Sequence, residues 1–399
     1  MGEINEFINK IINGDCLTVL KTIPDNSIDC VVTSPPYWAC RDYGIDNQIG
    51  LEEHPQEYIN KIVAVMKELK RVIKETGTIW LNLGDSFGSH KSGRDNEENI
   101  SKNEGRLNSL IKRNSPTKNL KDNFYKEKNK LLIPYRIAIA CQDELGLILR
   151  NDITWVKQII NWKTKESFGA SMPTSVQDRL NTNSEAIFLF VKNPDYFFDL
   201  DAIRVKHKTE LISRQNRIDY DTNRKGGKLQ EGKIQTGVWS ENKDRIAQEK
   251  GKNCGDCIMF PLEPSSENHY AMFPKTLPEF CIKAGCPKEV CNKCGKPKQV
   301  TQVTQVTHNR VNEREDNKVR PDNVERVPQD WKPKEIIETK EVSCNCNAGF
   351  SPGIVLDPFS GGGTTLFVAK HLLRNYIGIE INPTYIKEIQ NKRLAQEVL

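Results

Sequence analysis

Near the end of this 399-residue chain, residues 355–365 read VLDPFSGGGTT. Apolar residues give way to an acidic residue and a proline, then to three consecutive glycines and two threonines. This order is typical of a buried strand, a tight turn, a glycine loop and the start of a helix. Glycines let a backbone approach a ligand closely, and the helix N-terminus presents free N–H groups to a carboxylate. The stretch therefore predicts an α/β fold with a ligand-binding loop.

The glycine loop departs from two common nucleotide-binding patterns. No Lys-Ser or Lys-Thr pair follows the glycines, as it would in a phosphate loop, and Leu366 stands where a dinucleotide fingerprint has its third glycine. The next predicted strand ends at Glu380, 23 positions after Asp357. An acid at that point and separation can hold two ribose hydroxyls. The alternative is that Glu380 only caps the helix predicted to begin near Pro383.

A second motif lies near the other end of the chain, where the apolar run IDCVVT (28–33) continues into Ser34-Pro35-Pro36-Tyr37. Two prolines lock the backbone and remove two N–H donors, which leaves carbonyls as fixed acceptors. An exocyclic base amine is a poor nucleophile, and hydrogen bonds from both of its N–H groups draw the nitrogen towards a tetrahedral geometry. We expect Ser34 Oγ and the Pro35 carbonyl to accept them, and Tyr37 to stack on a base turned out of a duplex. The alternative is a proline turn that merely ends a buried strand.

Strands and helices alternate around these motifs. Runs rich in β-branched and aromatic residues predict strands at 28–33, 77–83, 153–157, 185–192, 353–357 and 376–380. Helical spacing predicts helices at 55–74, 364–373 and 383–399. This alternation predicts a parallel sheet with helical crossovers.

Composition bounds the class of protein. With 37% apolar and 28% charged residues, the chain has the composition of a globular domain. It has no apolar run long enough to cross a membrane and no secretory pattern at its start, so we expect a cytoplasmic protein without a membrane partner. The net charge of +5 permits a nucleic-acid partner. Two polar stretches, 87–130 and 207–250, are interpreted either as solvated loops or as DNA-contacting insertions.

Eight of the twelve cysteines crowd between Cys254 and Cys346. In a cytosolic chain such a cluster favours metal ligation over disulfides. Cys291 and Cys294, followed by glycine, have the knuckle form of a zinc ribbon, and Cys344 and Cys346 form a second close pair. We expect these four to bind one structural zinc; the alternative is a set of free cysteines.

The pairing of TSPPYW near the start with DPFSGGGTT near the end resembles the S-adenosylmethionine-dependent DNA amino-methyltransferases, in the circularly permuted motif order called the β class. The resemblance covers most of the chain outside the polar stretches. It implies a Rossmann-like methyltransferase sheet of seven strands, mostly parallel with the last antiparallel, and we expect the zinc ribbon as a small insert. In that family the catalytic motif matches Ser34, Pro35, Pro36 and Tyr37.

The resemblance also assigns the cofactor site. Asn13-Gly14-Asp15 is similar to a motif whose acid meets the adenine amine of S-adenosylmethionine, and NHYAMFP (268–274) to a segment at its methionine end. NLGDSF (82–87) matches a structural motif beside the target pocket. The cofactor-binding residues that the resemblance implies are Asp15, Phe273, Pro274, Asp357, Phe359, Ser360, Gly361, Gly363, Thr364, Thr365 and Glu380.

The family's motif order divides the chain into a catalytic half (1–204, with the polar insert 87–130), a target-recognition region (205–265) and a cofactor-binding half (266–399, with the zinc-ribbon insert 286–347). It implies methylation of flipped-out bases in double-stranded DNA, with a cognate restriction endonuclease as a partner. Cytosine-N4 members usually carry Ser-Pro-Pro-Tyr and adenine-N6 members Asp-Pro-Pro-Tyr, so Ser34 favours cytosine N4. The alternatives are the same reaction on adenine N6, and a zinc-ribbon nucleic-acid-binding protein with an inactive methyltransferase core.

Overall fold

The computed structural model describes residues 4–40, 42–45, 47–88, 126, 128–171, 174, 176–206, 251–261, 273–307, 334–342 and 344–395. Its strands are β1 (Lys10–Asn13), β2 (Ile28–Thr33), β3 (Ile73–Leu83), β4 (Ile148–Val156), β5 (Gln158–Ile160), β6 (Ser167–Gly169), β7 (Ser184–Val191), β8 (Cys257–Met259), β9 (Glu289–Cys291), β10 (Gln299–Thr307), β11 (Lys334–Val342), β12 (Phe350–Pro352), β13 (Ile354–Asp357) and β14 (Asn375–Glu380). Its α-helices are α1 (Cys16–Leu20), α2 (Pro55–Val72), α3 (Ile133–Asp143), α4 (Thr276–Gly285), α5 (Thr364–His371), α6 (Pro383–Tyr385) and α7 (Asn391–Leu394); a π-helical turn (Ile386–Gln390) joins the last two.

Eight of these strands form one sheet, in the order β1-β14-β13-β2-β3-β7-β4-β8. Every neighbouring pair is parallel except the two that involve β7, which runs antiparallel to β3 and β4. The prediction of a mostly parallel sheet is confirmed; the antiparallel strand was predicted to be the last one, whereas it is β7, between β3 and β4. The predicted number of seven was one too low, because the three-residue β8 adds to the edge of β4.

Helices cover both faces of the sheet, which explains why β2 is buried along its whole length. Side chains of β2 alternate between two apolar clusters. Val31 packs in the cluster that α1, α2 and α3 cover, whereas Cys30 and Val32 pack in the cluster that α4 and α5 cover. All six predicted strands and the three predicted helices are present, with ends shifted by a few residues. β1, α3 and α4 had not been predicted.

Asp85 shows how a loop residue positions a helix. The N-cap residue of α3, Leu132, offers no side-chain acceptor. Asp85 supplies it instead: its carboxylate accepts the backbone N–H groups of Leu132 and Ile133 at 3.1 and 3.0 Å. The NLGDSF segment after β3 is thereby fixed to α3, in keeping with the structural role predicted for it.

Two isolated β-bridges lie at the ends of two long polar segments. Phe87 bridges Lys130, and Val205 bridges Lys252, each as an antiparallel pair. Most of the polar insert 87–130 and of the recognition region 205–265 lies outside the described residues. Within the second region, β8 belongs to the main sheet. No helix in the described ranges is long and apolar enough to cross a membrane.

Candidate active site

The carboxyl ends of the parallel strands meet at one edge of the sheet, and a cavity of about 530 Å³ opens there. Because β7 is antiparallel, its amino end lies at the same edge, where Glu185 pairs with Trp155 of β4. The cavity is lined by Gly14, Asp15, Cys16, Ser34, Pro35, Pro36, Tyr37, Cys40, Tyr43, Asn47, Gln48, Ile49, Asn82, Trp155, Lys157, Glu185, Phe273, Pro358, Phe359, Gly361, Gly362, Ile379, Glu380, Ile381, Asn382 and Tyr385.

The two motifs predicted from the sequence face each other across this cavity. Ser34 to Tyr37 follow β2 directly and form one wall with Asn82, Lys157 and Glu185; we call this wall the proline-motif side. The opposite wall holds the loop 357–363 after β13 and Glu380 at the end of β14; we call it the glycine-loop side. The chain thus brings together segments that are more than 300 residues apart.

The backbone of the proline motif is held by a hydrogen bond from helix α2. Tyr58 of α2 is buried and donates its hydroxyl proton to the Pro36 carbonyl at 2.9 Å. The Pro35 carbonyl receives no hydrogen bond from the described residues, so it remains available as an acceptor beside Ser34. The prolines also remove competing donors, as the sequence predicted.

Tyr37 is held by side chains from two other strands. Its Oη lies 2.7 Å from Glu185 Oε2 and 3.1 Å from Asn82 Oδ1, and it accepts a hydrogen bond from Ser34 Oγ at 3.3 Å. The ring packs on Gly84, where a Cβ atom would come within 2.5 Å of it. Burial raises the pKa of Tyr37 well above its usual range, and the Glu185 carboxylate adds to the rise. The tyrosine is therefore a neutral hydroxyl that donates to Glu185.

Two residues of the proline-motif side, Lys157 and Glu185, were not identified from the sequence, whereas Asn82 begins the NLGDSF motif predicted beside the target pocket. Lys157 forms an ion pair with Glu185, and its ammonium group lies 4.8 Å from the ring centroid of Trp155. Lys157 and Glu185 are polar ends of the predicted strands 153–157 and 185–192, which was the available signal. Only the antiparallel pairing of β7 brings them to one point.

On the glycine-loop side, Glu380 joins two backbone segments. Its carboxylate accepts the N–H groups of Gly361 at 2.7 Å and of Asn382 at 2.8 Å. The α6 cap is Asn382, whose side chain accepts the Thr384 N–H, so Glu380 is not the helix cap that the sequence left as an alternative. Burial raises the pKa of Glu380 to about 7. Gly361 and Gly363 have φ of +47° and +74°, a conformation that favours glycine.

Asp357 lies behind the cavity wall. It is buried and accepts hydrogen bonds from Thr33 Oγ1 at 2.7 Å and from the Phe359 N–H at 3.1 Å. Burial raises its pKa to about 6. Because Thr33 immediately precedes the proline motif, Asp357 ties the two sides of the cavity together. Thr365 is also fully buried and lies close enough to Asp357 to hydrogen-bond it.

The predicted cofactor residues divide into those that line the cavity and those that support it. Asp15, Phe273, Phe359, Gly361 and Glu380 line it. The supporting residues are Pro274, Asp357, Ser360, Gly363, Thr364 and Thr365. Ser360 binds the Ile379 carbonyl, and Thr364 accepts a hydrogen bond from Arg393. Asp15 also caps α1 by accepting the Thr18 N–H at 2.9 Å, which leaves its second oxygen for a ligand.

The four cysteines predicted to bind metal converge. The Sγ atoms of Cys291, Cys294, Cys344 and Cys346 lie within 4.8 Å of one another. Tetrahedral zinc with Zn–S bonds of about 2.3 Å requires S···S distances of about 3.8 Å, so a small contraction closes the site. The N–H groups of Cys294 and Lys293 lower the pKa of Cys291 to about 6, which favours a thiolate. Cys291 ends β9, and β9 pairs with β12 immediately before β13.

Comparison with known proteins agrees with this geometry. A family model described as DNA methylase matches residues 28–291 and 288–391. Type II methyltransferase M.Cfr9I of Citrobacter freundii is 28% identical over 387 residues, which are 97% of this chain and 88% of that protein. Type II methyltransferase M.SmaI of Serratia marcescens is 28% identical over 376 residues, or 94% and 87% of the two chains. Type II methyltransferase M.SfiI of Streptomyces fimbriatus is 35% identical over 209 residues, or 52% and 42%.

A solved structure has the same fold. The PvuII DNA methyltransferase, described as cytosine-N4-specific, superposes with a TM-score of 0.51 at 15% identity, covering 98% of this chain and 87% of that one. At this identity the likeness concerns the fold alone.

Proposed function

The chain belongs to the DNA methylase family whose model it matches, and from that premise we propose that it transfers a methyl group from S-adenosylmethionine to the N4 amine of cytosine in duplex DNA. The observation that carries the proposal is the single cavity shared by Ser34–Tyr37 and Glu380. A methyl donor and a target base must lie side by side for direct in-line transfer, and this cavity offers one wall to each.

The glycine-loop side suits S-adenosylmethionine. Each oxygen of the Glu380 carboxylate accepts one backbone N–H and keeps capacity for one ribose hydroxyl. Gly361 lets the backbone approach the ligand, and Asp15 and Phe273 line the same space. A cavity of about 530 Å³ is within the usual range for a small-molecule site. When bound, S-adenosylmethionine supplies a methyl group activated by the sulfonium.

The proline-motif side suits a primary amine. Ser34 Oγ donates its proton to the Tyr37 hydroxyl. This bond orients the lone pairs of Ser34 Oγ so that they can accept one N–H of the target amine. The Pro35 carbonyl accepts the other. Glu185 fixes the Tyr37 hydroxyl through a 2.7 Å hydrogen bond, and Lys157 fixes Glu185. The residues that orient the amine are therefore themselves held by strands β4 and β7, so that little reorganisation is needed at the moment of transfer.

One feature supports cytosine as the target base. Ser34 occupies the position at which cytosine-N4 members of the family usually have serine. A hydroxyl accepts an N–H from an adenine N6 amine as readily, so the base has to be identified from the product.

The test is to express the protein in cells that lack DNA methylation and to analyse their DNA. Digestion to nucleosides and mass spectrometry separate N4-methylcytosine from N6-methyladenine, and sequencing that detects modified bases gives the site. We expect N4-methylcytosine, absent with Ser34→Ala. N6-methyladenine would overturn the choice of base. A protein that binds S-adenosylmethionine or DNA without any methylated product would favour the inactive-core alternative.

We also infer that Cys291, Cys294, Cys344 and Cys346 bind one structural zinc ion. The support is the convergence of two close pairs from distant segments and the absence of a free coordination position, because four thiolates complete a tetrahedral site. The site joins β9 to the segment that leads into β13. It would therefore fix the start of the glycine-loop side rather than take part in the transfer.

A further inference from the structure

A short hairpin leaves the main sheet beside the cavity. Strands β5 and β6 pair in the register Ile159–Phe168 and Ile160–Ser167 and connect through residues 161–166. At its base, a Cβ on Gly169 would come within 2.2 Å of the Lys157 carbonyl, so the hairpin packs directly on a residue that lines the cavity.

The tip of the hairpin has a defined conformation. Asn161 Oδ1 accepts the N–H groups of Lys163 and Thr164 at 3.0 and 3.2 Å, and the Asn161 carbonyl accepts the Lys165 N–H at 2.8 Å. These bonds close a turn that projects Trp162 outwards. A preformed aromatic contact of this kind has less conformational entropy to lose on binding.

The hairpin exposes large apolar side chains. Trp162 is 81% exposed, Phe168 64% and Ile160 53%, whereas Trp38, Trp80 and Trp155 are buried. A tryptophan so exposed, on an element that begins beside the cavity-lining Lys157, indicates a binding surface. Single exposed residues need no explanation, but here several share one two-stranded element.

Positive charge accompanies the aromatic tip. Lys163 and Lys165 follow Trp162 in the turn, and neither forms an ion pair with a carboxylate in the described part of the chain. The Lys165 ammonium lies 2.9 Å from the centroid of the Trp162 ring. Aromatic rings beside unpaired cations suit a partner with flat apolar faces and a polyanionic backbone, which is the chemistry of a nucleic acid.

We propose that the β5–β6 hairpin contacts duplex DNA, and that Trp162 stacks against the bases beside the one extruded into the cavity. This rests on the proposed function, because it requires a flipped base. Trp162 follows Lys157 by five residues, a span of at most about 18 Å, or about five base-pair steps. On contact, Lys165 leaves the ring for a phosphate and exposes the face that stacks. The element lies outside both regions from which the sequence predicted DNA contact.

The test compares the duplex affinity of Trp162→Ala, Trp162→Phe and Leu373→Ala. The synthetic duplexes carry, in unmethylated form, the site that the wild-type protein methylates. Leu373 is the matched control, because it is 75% exposed and precedes β14 at the opposite edge of the sheet. We expect Trp162→Ala to weaken duplex binding by about five- to 150-fold, Trp162→Phe to restore most of it, and Leu373→Ala to have no effect. Binding of S-adenosylmethionine should stay unchanged in all three.

A second duplex, with the target site scrambled, tests stacking beside the extruded base. No base is extruded from this duplex, so the defect of Trp162→Ala should be smaller on it. An equal defect on both duplexes would overturn stacking, and unchanged binding would overturn the contact. A Trp162→Ala variant that binds duplexes normally, but no longer self-associates on size exclusion, would likewise overturn the contact with DNA. Wild-type protein that methylates no DNA would instead overturn the proposed function, and the hairpin's role with it.

Discussion

The two sides of the cavity are built in different ways. On the glycine-loop side, consecutive residues and their backbone N–H groups form the wall, and Glu380 joins the loop from the neighbouring strand. On the proline-motif side, Ser34 and Tyr37 are positioned by side chains from β3, β7 and the end of β4. A local motif suffices for the first, whereas the second depends on strand order.

This difference predicts different consequences of substitution. A change on the glycine-loop side should alter affinity for S-adenosylmethionine, since this is the wall that we propose binds it. A change on the proline-motif side should alter turnover, since its side chains set the geometry of the reacting amine. The following substitutions test that division.

Replacing either Ser34 or Tyr37 by alanine should have the largest effect. We expect turnover to fall on the order of a hundredfold or more, because displacement of the reacting amine by an ångström has that cost. Affinity for S-adenosylmethionine, measured by calorimetry, should stay within about twofold of wild type. Tyr37→Phe keeps the ring and loses the hydroxyl that bonds Ser34, Asn82 and Glu185, which separates stacking from orientation. Loss of cofactor binding with the fold intact would mean that the two sides are wrongly assigned.

Glu380→Ala should show the opposite pattern. The loss of charge-assisted hydrogen bonds to ribose should weaken S-adenosylmethionine binding by about ten- to a hundredfold. Turnover at saturating cofactor should change far less. Calorimetry gives the affinity, and Asn382→Ala, which removes the neighbouring helix cap, is the control for a merely structural effect. If Glu380→Ala and Asn382→Ala weaken S-adenosylmethionine binding equally, Glu380 only supports the loop and does not bind the ribose.

Glu185 should act on turnover through Tyr37. We expect Glu185→Ala to lower turnover by about tenfold, the cost of one hydrogen bond to a charged group. Glu185→Gln keeps an acceptor for the Tyr37 hydroxyl and should recover most of the activity. Single-turnover kinetics at saturating S-adenosylmethionine measure the step itself. If Glu185→Ala lowers the affinity for S-adenosylmethionine instead of turnover, the two sides of the cavity do not have the separate roles described above.

Cofactor affinity should also depend on pH. Burial raises the pKa of Glu380 to about 7, so its carboxylate gains a proton as the pH falls from 8 to 6. The neutral acid is a weaker acceptor, and affinity should decrease by up to about tenfold over that range. Calorimetry at several pH values checks this. In Glu380→Gln, affinity for S-adenosylmethionine should no longer depend on pH in this range. If the dependence on pH persists in that variant, it would be assigned to Asp357 instead, because burial raises the pKa of Asp357 to about 6.

Zinc removal should have the smallest effect on the chemistry. Elemental analysis should find about one zinc per chain in protein purified without added metal. Removal should lower the melting temperature, because the metal joins the β9–β12 pair, but should change cofactor affinity by no more than about threefold. Cys257→Ala, which alters an exposed cysteine outside the cavity and outside the cluster of four, is the control. Protein that is purified without bound metal, and whose melting temperature does not rise when zinc is added, would contradict the assignment.

The sequence predicted the glycine-loop side almost completely because its signals are local. The strand, the glycines and the acid 23 positions later follow one another, and local order determines the loop. The cysteine pairs were recognisable for the same reason. α4 was missed because Pro278 and Gly285 weaken its helical signal, and β1 because it has only four residues, none of them buried.

The proline-motif side was only partly predictable. Asn82, Lys157 and Glu185 each end or begin an apolar strand, and many such residues merely face solvent. Their meeting depends on β7 entering between β3 and β4 in the opposite direction, and no spacing within the sequence encodes that position. The exposed hairpin was missed for a related reason: burial cannot be inferred from a run of three residues.

The pairing of β1 with β14 has a consequence for biosynthesis. Asn13 Nδ2 donates a hydrogen bond to the Glu380 carbonyl across 367 positions of the chain, so the glycine-loop side of the cavity joins β1 to β14. At about 5–20 residues per second, a ribosome needs roughly 20–70 s to translate that interval. During this time the nascent polypeptide carries the proline motif but no complete pocket. The complete cavity therefore arises only after β14 has been translated, and a product that terminates before β14 would lack Glu380 and its wall.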